Sequence, residues 1–414
     1  MSWYLDFVDL DYKPSKNDLI CTYFVQPAKG ISLKEAAGRV VSESSVGTWT
    51  SLSYLPKRVE KLMARVFEIK ENVVRIAYPI DLFEAGNIPQ ILSSIAGNIF
   101  GMKAIENLRL EDVQWPRKLI KSFKGPQFGI RGVRKIMKVR KRPLIATVPK
   151  PKVGLSSKEY ARIAYELWIG GVDFVKDDEN LTDLKFNKFE ERLKACMKMR
   201  ENAEKETGER KCMLINVTGK FGEMKKRIEL VAEYGNEFIM IDGITCGFSS
   251  LQEVRDVCQD YGIAIHMHRA MHAAFTRKKH GISMKVIAQI ARIIGVDNLH
   301  RGTAIGKMAG SRKDVLEIKH TITKQVLGLR KVFPVTSGGL HPGLIPTLLE
   351  IFGKNIIIQV GGGVMGHPAG ARAGAKAVRQ AICAALRGIS LKECAKKHVE
   401  LREALKKWGY RRPR

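Results

Sequence analysis

No stretch of the 414 residues approaches the ~20 consecutive apolar residues that a membrane-spanning helix needs, so the chain is not expected to cross a bilayer. The first sixteen residues lack a basic region leading into an apolar core and a cleavage site, so no secretory signal is visible. Cysteine is scarce: Cys21, Cys196, Cys212, Cys246, Cys258, Cys383 and Cys394, an odd number with no Cys-x-x-Cys pair. That argues against a disulfide framework or a structural zinc site and points to a reducing, cytoplasmic setting. Acidic residues are few as well, 42 against 71 Lys plus Arg, for a net charge of +29. Such an excess fits nucleic acid, a membrane surface or an anionic substrate. Residues 117–142 hold eleven basic side chains and no acidic one, yet their only aromatics are Phe123 and Phe128. A groove that stacks bases would interleave more aromatics, so this stretch reads as a solvated basic face and nucleic acid is not an expected partner.

What is present begins with an alternation of strand-like and helix-like segments. Residues 19–26 read as a strand and 32–42 as a helix capped by Ser32; 66–69 and 73–78 read as a hairpin, 88–95 as a helix and 102–110 as a strand region. Strand, helix, two strands, helix, strand is the split βαβ pattern of an α+β, ferredoxin-like domain, placed at 1–125. The basic stretch 117–142 reads as an inter-domain connection. The remainder, 126–414, is expected to be a catalytic (β/α)8 TIM barrel with C-terminal helices.

The barrel expectation rests on counting. Eight short apolar runs end near Lys150, Lys176, Asn216, Asp242, His268, His300, Ser337 and Gly361, at intervals of 26, 40, 26, 26, 32, 37 and 24 residues. Intervals that long between strands accommodate crossover helices and imply parallel pairing. Eight units close a barrel whose C-terminal rim carries the site. An open doubly wound sheet is the competing fold, but no Gly-x-Gly-x-x-Gly turn follows the first strand.

The run ends collect unusual chemistry. Lys150 and Lys152 offer cations for an anionic substrate, or a lysine for acid–base work. Lys176-Asp177-Asp178-Glu179-Asn180 sets three carboxylates in a row, which suits a hard cation such as Mg2+, although a helix N-terminus also tolerates carboxylates. His266 and His268 fall on one strand face. Zinc would need a further ligand there, so acid–base catalysis by one and a structural hydrogen bond by the other is expected. Arg269 suits a phosphate. Lys307 lies on a glycine-bounded loop after His300 that reads as a mobile lid, without the spacing of a Walker loop. Ser337-Gly338-Gly339 and Gly361-Gly362-Gly363 fall on the seventh and eighth loops, the usual phosphate site of such barrels. Together these features describe a Mg2+-dependent barrel enzyme acting on a doubly phosphorylated small molecule.

Those motifs are recognisable. The chain resembles the ribulose-1,5-bisphosphate carboxylase/oxygenase (RuBisCO) large-subunit family, most closely its archaeal form III group. The resemblance runs from Glu43-Ser44-Ser45-Val46-Gly47-Thr48-Trp49-Thr50 through Gly97-Asn98-Ile99-Phe100-Gly101 and Gly125-Pro126-Gln127-Phe128-Gly129-Ile130 to Lys176-Asp177-Asp178-Glu179-Asn180 and His268-Arg269-Ala270-Met271-His272. It implies a carboxy-lyase that adds CO2 or O2 to the Mg-bound enediolate of ribulose-1,5-bisphosphate and, with CO2, cleaves it to two 3-phosphoglycerates. Lys176 would be carbamylated by an activating CO2 and would hold Mg2+ with Asp178 and Glu179. The carbamate would take the C3 proton, and Lys150 would protonate the final carbanion. Lys152 and His268 would sit close to the reacting atoms, and Lys307 would close over the site. Arg269 and His300 would hold one phosphate; Gly338, Gly339, Gly361 and Gly362, with Thr48 and Trp49 of a partner subunit, would hold the other. Ser337 would contact sugar hydroxyls. Glu43 and Asn98 would enter from the partner, so the enzyme would be a homodimer or an assembly of dimers, with no small subunit. The form III resemblance implies a role in AMP salvage. The alternative is a RuBisCO-like enolase or isomerase that fixes no CO2. Lys150, Lys176, His268, Lys307 and Ser337 are all present, which favours the carboxylase, while Ala309 stands where the family usually has glutamate.

Overall fold

The computed structural model describes residues 3–305, 311–326 and 328–410. Its strands, in chain order, are β1 (Leu19–Pro27), β2 (Arg65–Lys70), β3 (Val73–Tyr78), β4 (Ile105–Gln114), β5 (Leu144–Thr147), β6 (Phe174–Lys176), β7 (Cys212–Asn216), β8 (Phe238–Asp242), β9 (Ala264–His268), β10 (Gly281–Ile282), β11 (Asn298–His300), β12 (Phe333–Ser337) and β13 (Ile357–Gln359). The chain divides into two compact units, one of Met1–Lys124 with Met271–Ile294, the other of Gly125–Ala270 with Gly295–Arg414.

In the first unit β1 runs antiparallel to both β3 and β4, and β2 antiparallel to β3, giving the order β4-β1-β3-β2. This is the ferredoxin-like arrangement, with helices Leu33–Ser44 and Ile88–Ile95 as its two crossovers. Ser32 caps the first helix, its hydroxyl accepting from the Glu35 N–H at 3.2 Å. A fifth strand, β10, adds parallel to β4. It comes from the segment Met271–Ile294, which the sequence reading places in the barrel half and which packs with the first unit instead. Ser283 secures it: its backbone N–H donates to Leu110 O and its hydroxyl to Glu111 O.

The second unit is a closed barrel of eight parallel strands in the order β11-β12-β13-β5-β6-β7-β8-β9, closed by the β9–β11 pairing. Six of the eight residues that mark run ends in the sequence are the last residues of their strands: Lys176, Asn216, Asp242, His268, His300 and Ser337. Side chains alternate across a strand, so one parity lines the interior. Leu144, Ala146, Phe174, Cys212, Leu214, Phe238, Met240, Ala264, Phe333, Val335 and Ile357 form one buried apolar cluster. The same parity continues upward into Lys176, Asn216, Asp242, His266, His268 and Ser337. The interior thus has an apolar floor and a polar top layer, fixed by one register.

The basic stretch is more than a connection. Within it, Gly129–Met137 is a helix whose Ile130, Val133 and Met137 are buried in the barrel cluster. That i, i+3, i+7 stripe is what the charge count obscures. Asp297 ties the helix down: one carboxylate oxygen accepts the Phe128 and Gly129 N–H groups at 2.6 and 2.8 Å, the other the Ile265 N–H at 3.0 Å. Among the described residues no helix is long and apolar enough to cross a membrane.

Fully buried Asp173 joins Arg142 through two hydrogen bonds, 2.6 and 2.7 Å, and accepts the Ile145 N–H at 2.8 Å. Burial pushes this carboxyl up, but the bonds and charge of Arg142 outweigh it and hold it below the usual carboxylate range. A carboxylate depressed on folding stabilises above its unfolded pKa, ~3.9, and that contribution fades as pH falls through the folded value. Asp173→Asn is therefore expected to cost about 3 kcal/mol at neutral pH, read as a lower thermal midpoint. The gap between variant and parent should narrow below about pH 4.

Candidate active site

The rim is organised around the turn after β6. Lys176 ends that strand pointing inward and is fully buried, its Nζ donating at 2.7 Å to the backbone oxygen of Asp177. Burial drives its ammonium pKa down; the nearby carboxylates of Glu179, Asp242, Asp178 and Asp177 oppose this only in part. The three consecutive carboxylates have separate fates. Asp177 leaves the rim for a buried ion pair with Arg192, at 3.2 Å to Nε and 3.0 Å to Nη2, and also accepts the Asn216 N–H at 2.9 Å. Arg192 further donates to Asn187 and to Thr182 O, which pins the loop that follows. Asp178 meets Lys150 Nζ at 2.9 Å and accepts Asn180 N–H groups at 3.1 and 3.3 Å. Burial pushes its carboxyl up, but Lys150 and Asn180 bring it below the ordinary range. Glu179 faces His268, Oε2 to Nε2 at 3.8 Å.

Three histidines continue the layer. His268 Nδ1 lies 2.9 Å from Asp242 Oδ1. The Ala270 N–H also reaches Nδ1, at 3.3 Å, and Nε2 lies on the side of Glu179. His266 and His300 are buried and meet Nε2 to Nε2 at 2.8 Å, and His300 Nδ1 lies 3.0 Å from Ser337 Oγ. Burial first, and neighbouring positive charge second, hold both imidazoles well below the normal histidine range. Two neutral rings share one hydrogen bond, so one donates. Among the described residues His266 Nδ1 has no partner, and buried orphaned N–H groups are rarer than under-satisfied acceptors. The favoured arrangement is His266 Nε2–H to His300 and His300 Nδ1–H to Ser337. That leaves the Ser337 hydroxyl proton free to donate to a ligand.

Arg269 follows His268 and is largely buried; burial lowers its guanidinium to about 10, so it stays charged at neutral pH. It lies against Gly302, where a Cβ would come within 2.8 Å of Nη2. Across the rim, Gly338 and Gly339 have φ of +111° and +69°, conformations that favour glycine and bare the backbone after Ser337. Gly361 and Gly362 follow β13, and Gly361 approaches the Lys150 side chain.

The structure thus joins Lys150, Lys176, Asp178, Glu179, His268, Arg269, His300, Ser337 and the glycines on one rim. Lys152 is exposed beyond β5. Lys307 and Ala309 lie outside the described residues. Glu43, Thr48, Trp49 and Asn98 belong to the first unit, where Asn98 Nδ2 donates to Glu43 Oε1 at 3.3 Å and the Trp49 ring is 79% exposed. Sequence reasoning missed three supporting residues. Asp242 could have been found from its inward parity after Phe238 and Met240. Asn216, at a run end, carries the same signal. Arg192, inside a helix of mixed polarity, carries none.

Comparison with known proteins fits this geometry. The family model described as ribulose bisphosphate carboxylase large chain, N-terminal domain, matches residues 6–119, and the one for the catalytic domain matches 129–408. The chain is 56% identical to the ribulose bisphosphate carboxylase of Pyrococcus furiosus over the full length of both, and 49% identical to that of Archaeoglobus fulgidus over 98% of each. Among solved structures it is similar to the octameric Rubisco of Pyrococcus horikoshii, with a TM-score of 0.96 and 53% identity over 99% of this chain and 97% of that one. It is also similar to the dimeric archaeal Rubisco of Hyperthermus butylicus, with a TM-score of 0.92 and 52% identity over 98% and 99%. Eight-stranded barrel, ferredoxin-like domain, rim residues and full-length likeness converge: the chain belongs to the ribulose bisphosphate carboxylase large-chain family.

Proposed function

We propose that the chain is a ribulose-1,5-bisphosphate carboxylase/oxygenase whose lysine Lys176 becomes a metal ligand by reacting with CO2. The observation that carries this reading is the state of Lys176: a buried amine whose pKa burial lowers, beside Asp178 and Glu179 and, among the described residues, bonded only to a backbone carbonyl. Asp178 and Glu179 supply two hard oxygen donors that suit Mg2+. Among the described residues no third His, Cys, Asp or Glu completes a metal-binding group with them. Addition of CO2 to Nζ, with loss of a proton, would turn the cation into an anionic oxygen donor and supply the third ligand. Mg2+ held there would act as a Lewis acid, acidifying a C–H beside a carbonyl.

The chain's own groups divide the remaining work. Lys150, near Asp178, can deliver a proton to the product carbanion. His268, oriented by Asp242, would present Nε2 to the reacting end. Arg269 and His300 would take one phosphate, and the Gly338, Gly339, Gly361 and Gly362 backbone the other. The Ser337 hydroxyl would meet a sugar hydroxyl. The exposed Trp49, with Leu52 and Tyr54 beside it, supports a first unit that completes a partner subunit's site through Glu43, Thr48, Trp49 and Asn98. A dimer is thus the smallest complete enzyme, and Lys307 would close over the substrate. The enediolate of ribulose-1,5-bisphosphate then adds CO2, takes up water and cleaves to two 3-phosphoglycerates; O2 competes for the same carbon. Supply of the substrate from AMP is carried over from the form III resemblance.

Incubation with ribulose-1,5-bisphosphate, Mg2+ and 14C-bicarbonate under anaerobic conditions should place label in 3-phosphoglycerate, and Lys176→Ala should abolish it. A folded, Mg2+-loaded protein that exchanges the C3 proton but fixes no label would transfer the assignment to an enolase. Asp242→Asn should lower turnover about 10–100-fold, because it removes the carboxylate that orients the His268 ring, while leaving the thermal midpoint near that of the parent. Unchanged turnover would remove His268 from the reacting end.

A further inference from the structure

Arg301 is the most anomalous residue of the barrel outside the reacting centre. It directly follows His300, and its N–H donates to Val335 O at 3.1 Å as the sheet continues past β11. Alternation turns it away from the interior that His300 faces, into the layer between strands and helices. There its guanidinium is fully buried and stacks on the Phe352 ring, Cζ to centroid 3.7 Å. Among the described residues, Nε, Nη1 and Nη2 have no hydrogen-bond partner. A buried guanidinium normally has a carboxylate or several carbonyls around it, because an unpaired buried charge is strongly unfavourable. Here the neighbouring charges are of the same sign. Arg269 is one. Lys319 is the other, its Nζ donating to Phe352 O at 2.9 Å. Burial, and then the charge of Arg269, lower the Arg301 guanidinium to about 9, which keeps it charged at neutral pH.

Like charges collected without a counterion need an anion from outside. Arg269 is the member that lies at the rim, against Gly302, the residue next to Arg301. Arg269 makes no hydrogen bond or ion pair among the described residues either. The α-carbon of Gly302, with φ of +85°, lets that guanidinium sit directly over the backbone.

We propose that Arg301 is a positioning residue for the phosphate side of the site: a buried, uncontacted charge whose field strengthens anion binding at Arg269 and His300. The inference rests on the reading that those two residues receive a substrate phosphate. A charge in a poorly solvated layer acts at a distance that water would screen. Phe352 covers one face of the buried guanidinium. The arrangement trades folding stability for affinity: empty, the site carries an unbalanced positive charge, and a bound dianion relieves it.

Arg301→Met keeps the length and the stacking on Phe352 but removes the charge. Binding of inorganic phosphate, measured calorimetrically, should weaken about ten- to hundred-fold, and the loss in turnover should fall on KM for ribulose-1,5-bisphosphate more than on kcat. The thermal midpoint without anion should hold or rise. Arg301→Lys, which restores a cation, should recover most of the phosphate affinity. Should the Met variant fail to fold, Arg301→Gln replaces it. Phosphate affinity that survives in Arg301→Met but falls in Arg269→Met would overturn the role of Arg301 alone. A lowered thermal midpoint with intact phosphate affinity would show a packing role and overturn it as well. A phosphate stoichiometry and affinity both unchanged in Arg269→Met would overturn the phosphate reading itself, and the proposal with it.

Discussion

The site is built around an amine that the fold buries and leaves with too few partners. Lys176 must point into the barrel because it continues the inward parity of Phe174. Once there, among the described residues only the Asp177 carbonyl is within bonding reach. Nearby carboxylates would ordinarily neutralise it, but each already has another partner. Asp177 is drawn outward by Arg192, and Asp178 is engaged by Lys150. Arg192 also fixes the following loop through Thr182 and Asn187, so the position of Asp178 and Glu179 depends on an ion pair that never touches the rim. Remove that pair and the carboxylates of Asp178 and Glu179 lose their mounting; remove Lys150 and Asp178 is free to capture the amine.

One register connects this site to the stability of the barrel. The interior parity is apolar at the floor, where the helix Gly129–Met137 seals it, and polar in the top layer. A one-residue slip in any strand would exchange an interior side chain for one facing the helices. Apolar packing below therefore sets the aim of the side chains above. Asp297 reinforces it by tying the sealing helix and β9 to the entry of β11. The histidine chain from His266 through His300 to Ser337 stays neutral because the same closure excludes water from two of the three.

Much of this was legible in residue order. Eight apolar runs at crossover spacing lead to a closed parallel barrel, and six marker residues fall at strand ends because each apolar run gives way to polar residues at the rim. The carboxylate triplet and the paired histidines were visible as chemistry but not as geometry. Adjacency along the chain does not tell which carboxylate turns outward, and the partner that decides it, Arg192, lies on a distant helix turn. The helix at 129–137 was hidden by its charge, since basic residues outnumber the three apolar ones that place it. The segment Met271–Ile294 escaped for a different reason. Its two-residue strand is too short for any period, and its pairing with β4 spans more than 160 positions, a non-local contact that no local pattern encodes. Lys307 remains assigned by resemblance alone.

The central claim is that Lys176 is a ligand made by CO2 and not a structural cation. It is tested most directly by 13C NMR of the intact protein equilibrated with 13CO2 and Mg2+. The account predicts one carbamate resonance per chain, strengthened by Mg2+ and absent from Lys176→Ala. Contradiction would come from a folded protein that shows no such resonance, or from one whose resonance persists without Lys176.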